Sequence, residues 1–202
     1  MELNRKIHRI LTQKVPQAAV NHCFELWQAR PFNFRITRAR RTKLGDYKFI
    51  PSDRSHNISI NNNLNPFAFL ITYLHEVAHL LVYSEYGRKV KPHGKEWKQQ
   101  FKNLLLPVFN DQVFPHDVLQ ALAGYLKNPK ASSCSDHRLY RVLSLYDKVA
   151  GTYLSDLATG QSFIFSERKF KKEKLRRTRY VCQEVATGRK YLISKSAQVE
   201  PC

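Results

Sequence analysis

Long apolar runs are missing from this 202-residue chain. The longest candidate, Phe67 to Leu74, runs into His75-Glu76 and falls well short of the roughly 18 apolar residues that read as a bilayer span. No membrane partner is therefore expected. The opening residues, MELNRKIHRILTQK, scatter their charges instead of placing a basic cap before an apolar run, so they do not read as a secretory signal, and the expected location is cytoplasmic. Cysteine is sparse: Cys23, Cys134, Cys182 and Cys202 lie far apart with no CxxC pair, which excludes a zinc ribbon and a secreted disulfide framework. They are expected to be reduced thiols, with Cys134, alone in SSCSDH, inert. Acidic side chains are also few, 16 Asp and Glu against 34 Lys and Arg, for a net charge of +18. That imbalance attracts polyanions by Coulomb forces and counterion release, and nucleic acid is the first partner to consider.

What is present is enough for one packed domain and a small appendage. Leu3, Ile7, Ile10 and Leu11 fall at helical spacing, and Ala19, Cys23, Leu26 and Trp27 make a second stripe, so two helices open the chain. FRITR, DYKFI and HNISIN then read as a small three-stranded sheet. Asn65-Pro66 is a cap and first-turn pair for a helix that runs to Tyr86 and stops at Gly87. Further helices are expected over His93 to Leu106 and Pro115 to Leu126. The polar stretch 128–136 is a connection, and the domain boundary is expected near 150. Beyond it, ATGQSFIF at 158–165 and ATGRKYLI at 186–193 echo each other as turn-plus-strand units, which predicts two related hairpins. The fold class is therefore α+β, a domain over 1–149 that combines helices with a small antiparallel or mixed sheet, followed by a small basic β module over 150–202.

His75-Glu76-Val77-Ala78-His79 is an HExxH sequence. On a helix its two histidines are about 400° apart, so both imidazoles face one side as a two-point metal clamp. Glu76, about 100° round from His75, can reach a water on that metal without being forced to ligate it. A catalytic zinc takes a third protein ligand and keeps one open position. Glu85 would point to the wrong side of a continuous helix. His93 and Glu96 both follow the helix stop, and the PHG turn favours His93.

HEVAHLLVYSEYG followed by KPHGKEWKQQF resembles the SprT-like metalloprotease family, in which HExxH on a helix is followed after a variable loop by HGxx and an aromatic residue. The resemblance covers about residues 5–125. It implies a zincin-like metalloprotease fold, one Zn2+ ion on His75, His79 and His93, and Glu76 as general base on a zinc-bound water. It also implies a peptidase associated with DNA, as the Spartan-type members cut proteins on DNA, so DNA and DNA-bound protein substrates are the expected partners. Relatives that end in a cysteine-rich zinc ribbon differ from this chain, which has only Cys182 and Cys202 after residue 150. Apolar packing by Phe163, Phe165, Tyr180, Tyr191 and Ile193 is expected to replace the ribbon's metal.

Three basic clusters are candidate phosphate contacts: Arg35, Arg38, Arg40, Arg41 and Lys43; the stretch Arg88 to Lys98; and Arg168, Lys169, Lys171, Lys172, Lys174, Arg176, Arg177 and Arg179. Phe170 and Tyr180 beside the last cluster could stack on unpaired bases, which makes single-stranded DNA a candidate form. A strand near Asn57 to Asn61 could align a substrate backbone at a sheet edge. Tyr83, Tyr86 and Arg88 are candidate oxyanion donors. The competing reading is a nucleic-acid-binding module with a structural or regulatory zinc and no protease activity. The sequence does not give the oligomeric state.

Overall fold

The structure is a computed structural model that describes residues 2–40, 43–130, 136–147 and 151–202. Arg41 and Cys134 lie outside the described residues. The chain divides into two compact units, Met1–Asp147 and Lys148–Cys202, and mixes helices with two sheets.

In the first unit, α1 (Glu2–Lys14) and α2 (Val20–Ala29) bury Ile7, Leu11, Cys23 and Trp27. A three-stranded sheet follows in the order β1 (Asn33–Thr37), β3 (Ser55–Asn61), β2 (Gly45–Ile50). β1 runs parallel and β2 antiparallel to β3, with Phe34 and Tyr47 both opposite Ile58. β3 is thus the central strand, bonded on both sides, and offers no edge to a substrate. The edge strands are β1 and β2, which corrects the expectation placed on Asn57 to Asn61. Period-two alternation explains the sheet's packing, since Ile58 and Ile60 are fully buried.

The helix that carries HExxH, α3 (Pro66–Tyr86), starts where the Asn65 side chain accepts from the Ala68 N–H at 3.0 Å, with Pro66 in the first turn. Asn65 also donates to the Leu143 carbonyl at 2.8 Å and to the Asp147 carboxylate at 2.7 Å, which ties α6 (His137–Ser144) to the head of α3. Gly87, at φ 60°, ends the helix. The sequence suggested one apolar stripe, but every residue from Ala68 to Ala78 is buried. α3 is the central helix of the unit, long and apolar enough to cross a bilayer by length and composition, with 72% of its most apolar window buried inside the protein. Phe34 packs edge-on against Phe69 and Tyr73, and the Tyr73 hydroxyl donates to the Cys23 carbonyl at 2.8 Å. On another side α4 (Lys95–Leu105) buries Trp97 and Phe101, and α5 (His116–Leu126) packs with α6.

The expected helix from His93 begins later, at Lys95. His93 has φ 59°, a left-handed conformation that cannot start a helix, and lies in the turn before Gly94.

In the second unit, β4 (Thr152–Tyr153), β5 (Ser162–Phe165), β6 (Arg168–Arg176), β7 (Arg179–Glu184), β8 (Lys190–Ser194) and β9 (Gln198–Pro201) form one antiparallel sheet, ordered β4-β9-β5-β6-β7-β8. The two ATG segments each place a glycine at positive φ, Gly160 at 87° and Gly188 at 67°, which explains their echo. Only the second is a hairpin turn, between β7 and β8; the first leads into β5, so the predicted pair of twin hairpins is instead one continuous sheet. Leu154, Phe163, Phe170, Cys182, Ile193 and Val199 form its core, with Phe165, Tyr180 and Tyr191 packed against them.

Candidate metal centre

α3 and the turn before α4 bring three imidazoles to one point. The Nε2 atoms of His75 and His79 are 3.2 Å apart, those of His79 and His93 2.9 Å, and those of His93 and His75 3.2 Å. His75 and His79 meet because they are one helical turn apart. His93 reaches them because its left-handed backbone, of order 1 to 2 kcal/mol less favourable than the helical region, swings the chain back after Gly87. Among the described residues this is the one cluster of at least three His, Cys, Asp or Glu side chains able to hold a metal ion. Glu85 and Glu96 are not part of it.

The donor set fits a cation. Three imidazole nitrogens facing one another cannot satisfy all three contacts with the single proton each neutral ring carries, whereas an ion between them uses every lone pair. A tetrahedral ion with bonds of about 2.0 to 2.1 Å spaces its donors about 3.3 Å apart, close to the distances observed. Burial holds His75 down to about 2, with His79 and His93 adding repulsion, and burial followed by His93 holds His79 down to about 3. Burial also lowers His93. The rings are therefore neutral at physiological pH, the form that ligates metals.

Trp97 packs against the whole triad, with ring centroids 4.5 Å from His75, 5.3 Å from His79 and 4.8 Å from His93. Its indole N–H points to the His75 carbonyl at 3.4 Å. The Tyr47 ring also lies nearly parallel to His79, at 7° and 6.4 Å between centroids, and the Tyr47 hydroxyl is 2.8 Å from His56 Nδ1. His79 thus has two aromatic neighbours, Trp97 and Tyr47.

Glu76 is 6% exposed. Its carboxyl is pushed up to about 8 by burial and then by Asp46, against the Tyr47 backbone N–H that donates to it and the nearby Arg40 and Lys43 charges. A cation at the triad would oppose that rise. β2 makes this contact possible. Asn61 N–H donates to the Leu44 carbonyl at 2.9 Å, so alternation along the register turns the Tyr47 N–H away from β3 and towards α3. Gly45 lies so close that an added Cβ would strike Glu76 Oε1 and come within 2.7 Å of Thr72 Cγ2. The β1–β2 loop is pinned by Arg40, which donates to Asn61 Oδ1 at 2.8 Å and Ser59 Oγ at 3.0 Å, while Asn61 donates to the Lys43 carbonyl at 2.9 Å.

Around these groups is an open cleft of about 470 Å³, whose lining includes Gly45, Asp46, Tyr47, Tyr83, Arg88 and Lys91. Tyr83 and Arg88 thus border the cleft, whereas Tyr86 does not line it. Gly45 and Tyr47 escaped sequence reading because they depend on β2 lying against α3, and Arg40's pinning role because it depends on the side chain reaching Asn61 and Ser59 of β3. Trp97 was legible only as the aromatic residue after HG.

The basic candidates separate by burial. Arg35 and Arg38 are exposed, Lys43 pairs with Asp46 at 2.8 Å, and Arg40 is engaged internally. In the second unit Lys172 is 3% exposed and donates to the Leu157 carbonyl at 2.6 Å, which removes it from solvent and from phosphate. Phe170, at 1% exposure, is likewise not presented to a base.

Comparison with known proteins agrees with this geometry. The profile of the SprT-like family matches residues 12–122. The chain is 61% identical over 68 residues to Protein SprT of Escherichia coli strain K12, a match covering 32% of this chain and 37% of that protein. It is 63% identical over 35 residues to Protein SprT of Vibrio parahaemolyticus, 17% of this chain and 21% of that one. It is 61% identical over 31 residues to Protein SprT of Glaesserella parasuis, 15% and 19%. The chain thus matches between about a fifth and two fifths of the length of these relatives. No solved structure matches it. With a family match running from α1 into α5, over more than half of its length, this chain belongs to the SprT-like family.

Proposed function

We propose that this chain is a zinc-dependent metallopeptidase that hydrolyses peptide bonds of DNA-associated proteins. One observation carries the reading: three Nε2 atoms within 3.2 Å of one another open into a cleft that also holds a buried carboxylate, Glu76, adjacent in sequence to the first of them. His75, His79 and His93 would hold the ion. Bound there, zinc supplies Lewis acidity that polarises a carbonyl and makes a water acidic near neutral pH. Glu76 accepts the proton of the attacking water and delivers it to the leaving amine. Gly45 and the Tyr47 N–H fix where that carboxylate sits, and Trp97 and Tyr47 fix the imidazole planes. β2, an edge strand that lines the cleft, aligns an extended substrate through those outward backbone groups that Glu76 does not take, adding it as a strand, which makes cleavage tolerant of side-chain identity.

The alternative, a nucleic-acid-binding module with a structural or regulatory zinc, is less well supported. A structural zinc closes its shell with four protein ligands, whereas this cluster offers three and faces an open cleft. The net charge of +18 supports DNA as the associated polymer, and buried Cys23 and Cys182, both free thiols, suit a reducing cytoplasm. The test is cleavage of a DNA-binding protein by the zinc-loaded chain with and without DNA. Cleavage enhanced by DNA is expected. Cleavage indifferent to DNA would leave the peptidase and remove the coupling, and its absence for protein and peptide substrates alike would remove the enzyme.

A further inference from the structure

Of the three basic clusters in the sequence, only one shares its loop with a member of the triad. Arg40 and Lys43 of the first cluster are already engaged, and the cations of 168–179 belong to the second unit, where β6, β7 and β8 lie side by side in one sheet. The cluster Arg88 to Lys98 starts in the loop after Gly87, runs past His93 and enters α4. Arg88, Lys89, Lys91 and Lys95 are exposed, and none forms an ion pair among the described residues. Lys98 differs, donating to the Asn128 side chain at 2.8 Å.

The carboxylates nearby leave this charge unbalanced. Glu85 and Glu96 act instead on the Tyr86 hydroxyl, which hydrogen bonding and repulsion from Glu85 hold above its usual range, with a smaller push from Glu96. In the cleft lining, Asp46 is paired with Lys43 at 2.8 Å, whereas Arg88 and Lys91 have no such partner. Unpaired positive charge therefore runs from the mouth of the cleft along the loop. The backbone under it is fixed: the Lys89 N–H donates to the Tyr86 carbonyl at 3.2 Å, the Gly94 N–H to the Lys91 carbonyl at 2.9 Å, and the Lys98 N–H to the Gly94 carbonyl at 3.0 Å. A Cβ on Gly94 would come within 2.9 Å of the Lys91 carbonyl oxygen, so this turn is closely fitted. The turn that aims His93 thus also sets where Lys91 and Lys95 leave the backbone, and cations on a preset backbone lose less freedom on binding.

We propose that Lys89, Lys91 and Lys95, on the loop that carries His93 and the first turn of α4, hold the phosphate backbone of DNA at the mouth of the cleft. The proposal rests on the reading of DNA as this protein's partner and says where on the first unit it sits. Lysines without a protein partner gain from phosphates by releasing condensed counterions, whatever the base sequence. From Gly87 to Lys95 the one aromatic ring is the His93 imidazole, which belongs to the triad. The loop therefore has no stacking platform for unpaired bases, and a duplex, with its denser line of phosphates, is the favoured form. DNA held there presents proteins bound to the same DNA to the cleft at a raised effective concentration, which is how DNA would enhance cleavage.

The test uses the full chain, loaded with zinc, and fluorescence anisotropy with a short blunt duplex over a salt series, with the zinc content of every variant measured. The triple variant Lys89→Gln/Lys91→Gln/Lys95→Gln should flatten the slope of log affinity against log salt by about 2 to 3, close to 0.9 for each lost phosphate contact. The same variant is expected to lose the enhancement of cleavage by DNA. The three single variants are measured beside it, so that even a triple variant that misfolds or loses zinc leaves decrements near 0.9 apiece to decide. Arg176→Gln/Arg177→Gln/Arg179→Gln serves as the comparison in the second unit. Folded, zinc-loaded loop variants with the wild-type slope would overturn the proposal, and a slope that falls only in the second-unit variant would move the DNA there. A wild type that binds no DNA would overturn it together with the DNA partner, and whether that protein cleaves peptides is a separate readout of the peptidase reading.

Discussion

At the scale of single residues, the account depends on small groups beside the triad. Gly45 is the sharpest case, because any Cβ there meets the Glu76 carboxylate. Gly45→Ala is expected to lower kcat at least tenfold by displacing Glu76, with metal content unchanged; steady-state kinetics with metal analysis checks this, and a variant with wild-type kcat would show that Glu76 has slack. Trp97 acts through the imidazoles it touches. Trp97→Ala leaves a large cavity in a fully buried site and is expected to cost about 3 to 5 kcal/mol of stability in urea unfolding. Trp97→Phe should keep metal binding, because a flat ring still supports the triad. HExxH made His75, Glu76 and His79 readable in the sequence, since helical periodicity alone brings i and i+4 together. Gly45 and Tyr47 were not readable, since they meet Glu76 through tertiary packing about thirty residues away along the chain.

At the scale of elements, the helix ends and the sheet edge determine what the site can do. Asn65 caps α3 and also ties it to α6, so Asn65→Ala removes an N-cap and leaves the Leu143 carbonyl without that donor. A loss of about 1 to 2 kcal/mol is expected by chemical denaturation, and a neutral result would mean that α6 is held by other contacts. The strands of the first sheet were legible as alternating runs close to their observed bounds. Their order was not, because pairing is a property of two segments, and the sequence alone suggested β3 as a substrate edge when it is the central strand between β1 and β2. His93 was expected at the head of a helix, but the left-handed turn that aims it is invisible to periodicity. In the second unit the ATG repeats revealed two positive-φ glycines, and local similarity could not report that their strands belong to one sheet.

At the scale of the whole molecule, two units with separate cores divide the chemistry: the triad lies in Met1–Asp147, and an apolar core fills Lys148–Cys202. Chelation should therefore destabilise the first unit and leave the second alone, since a ligand stabilises only the fold that binds it. Calorimetry with and without a zinc chelator is expected to move the unfolding of one unit and not the other; equal shifts would show that the units unfold together. The excess of cations was plain from composition, but which of them face solvent was not, because Lys172 is buried and Arg40 is engaged by Asn61 and Ser59 while Arg35, Arg38 and Lys171 are exposed. The most direct test of the metallopeptidase reading compares wild type and Glu76→Gln, each with one zinc confirmed, on the same protein substrate. The account predicts equal zinc content and a loss of cleavage of about 10²- to 10⁴-fold in the variant. Cleavage at the wild-type rate by zinc-loaded Glu76→Gln would contradict it.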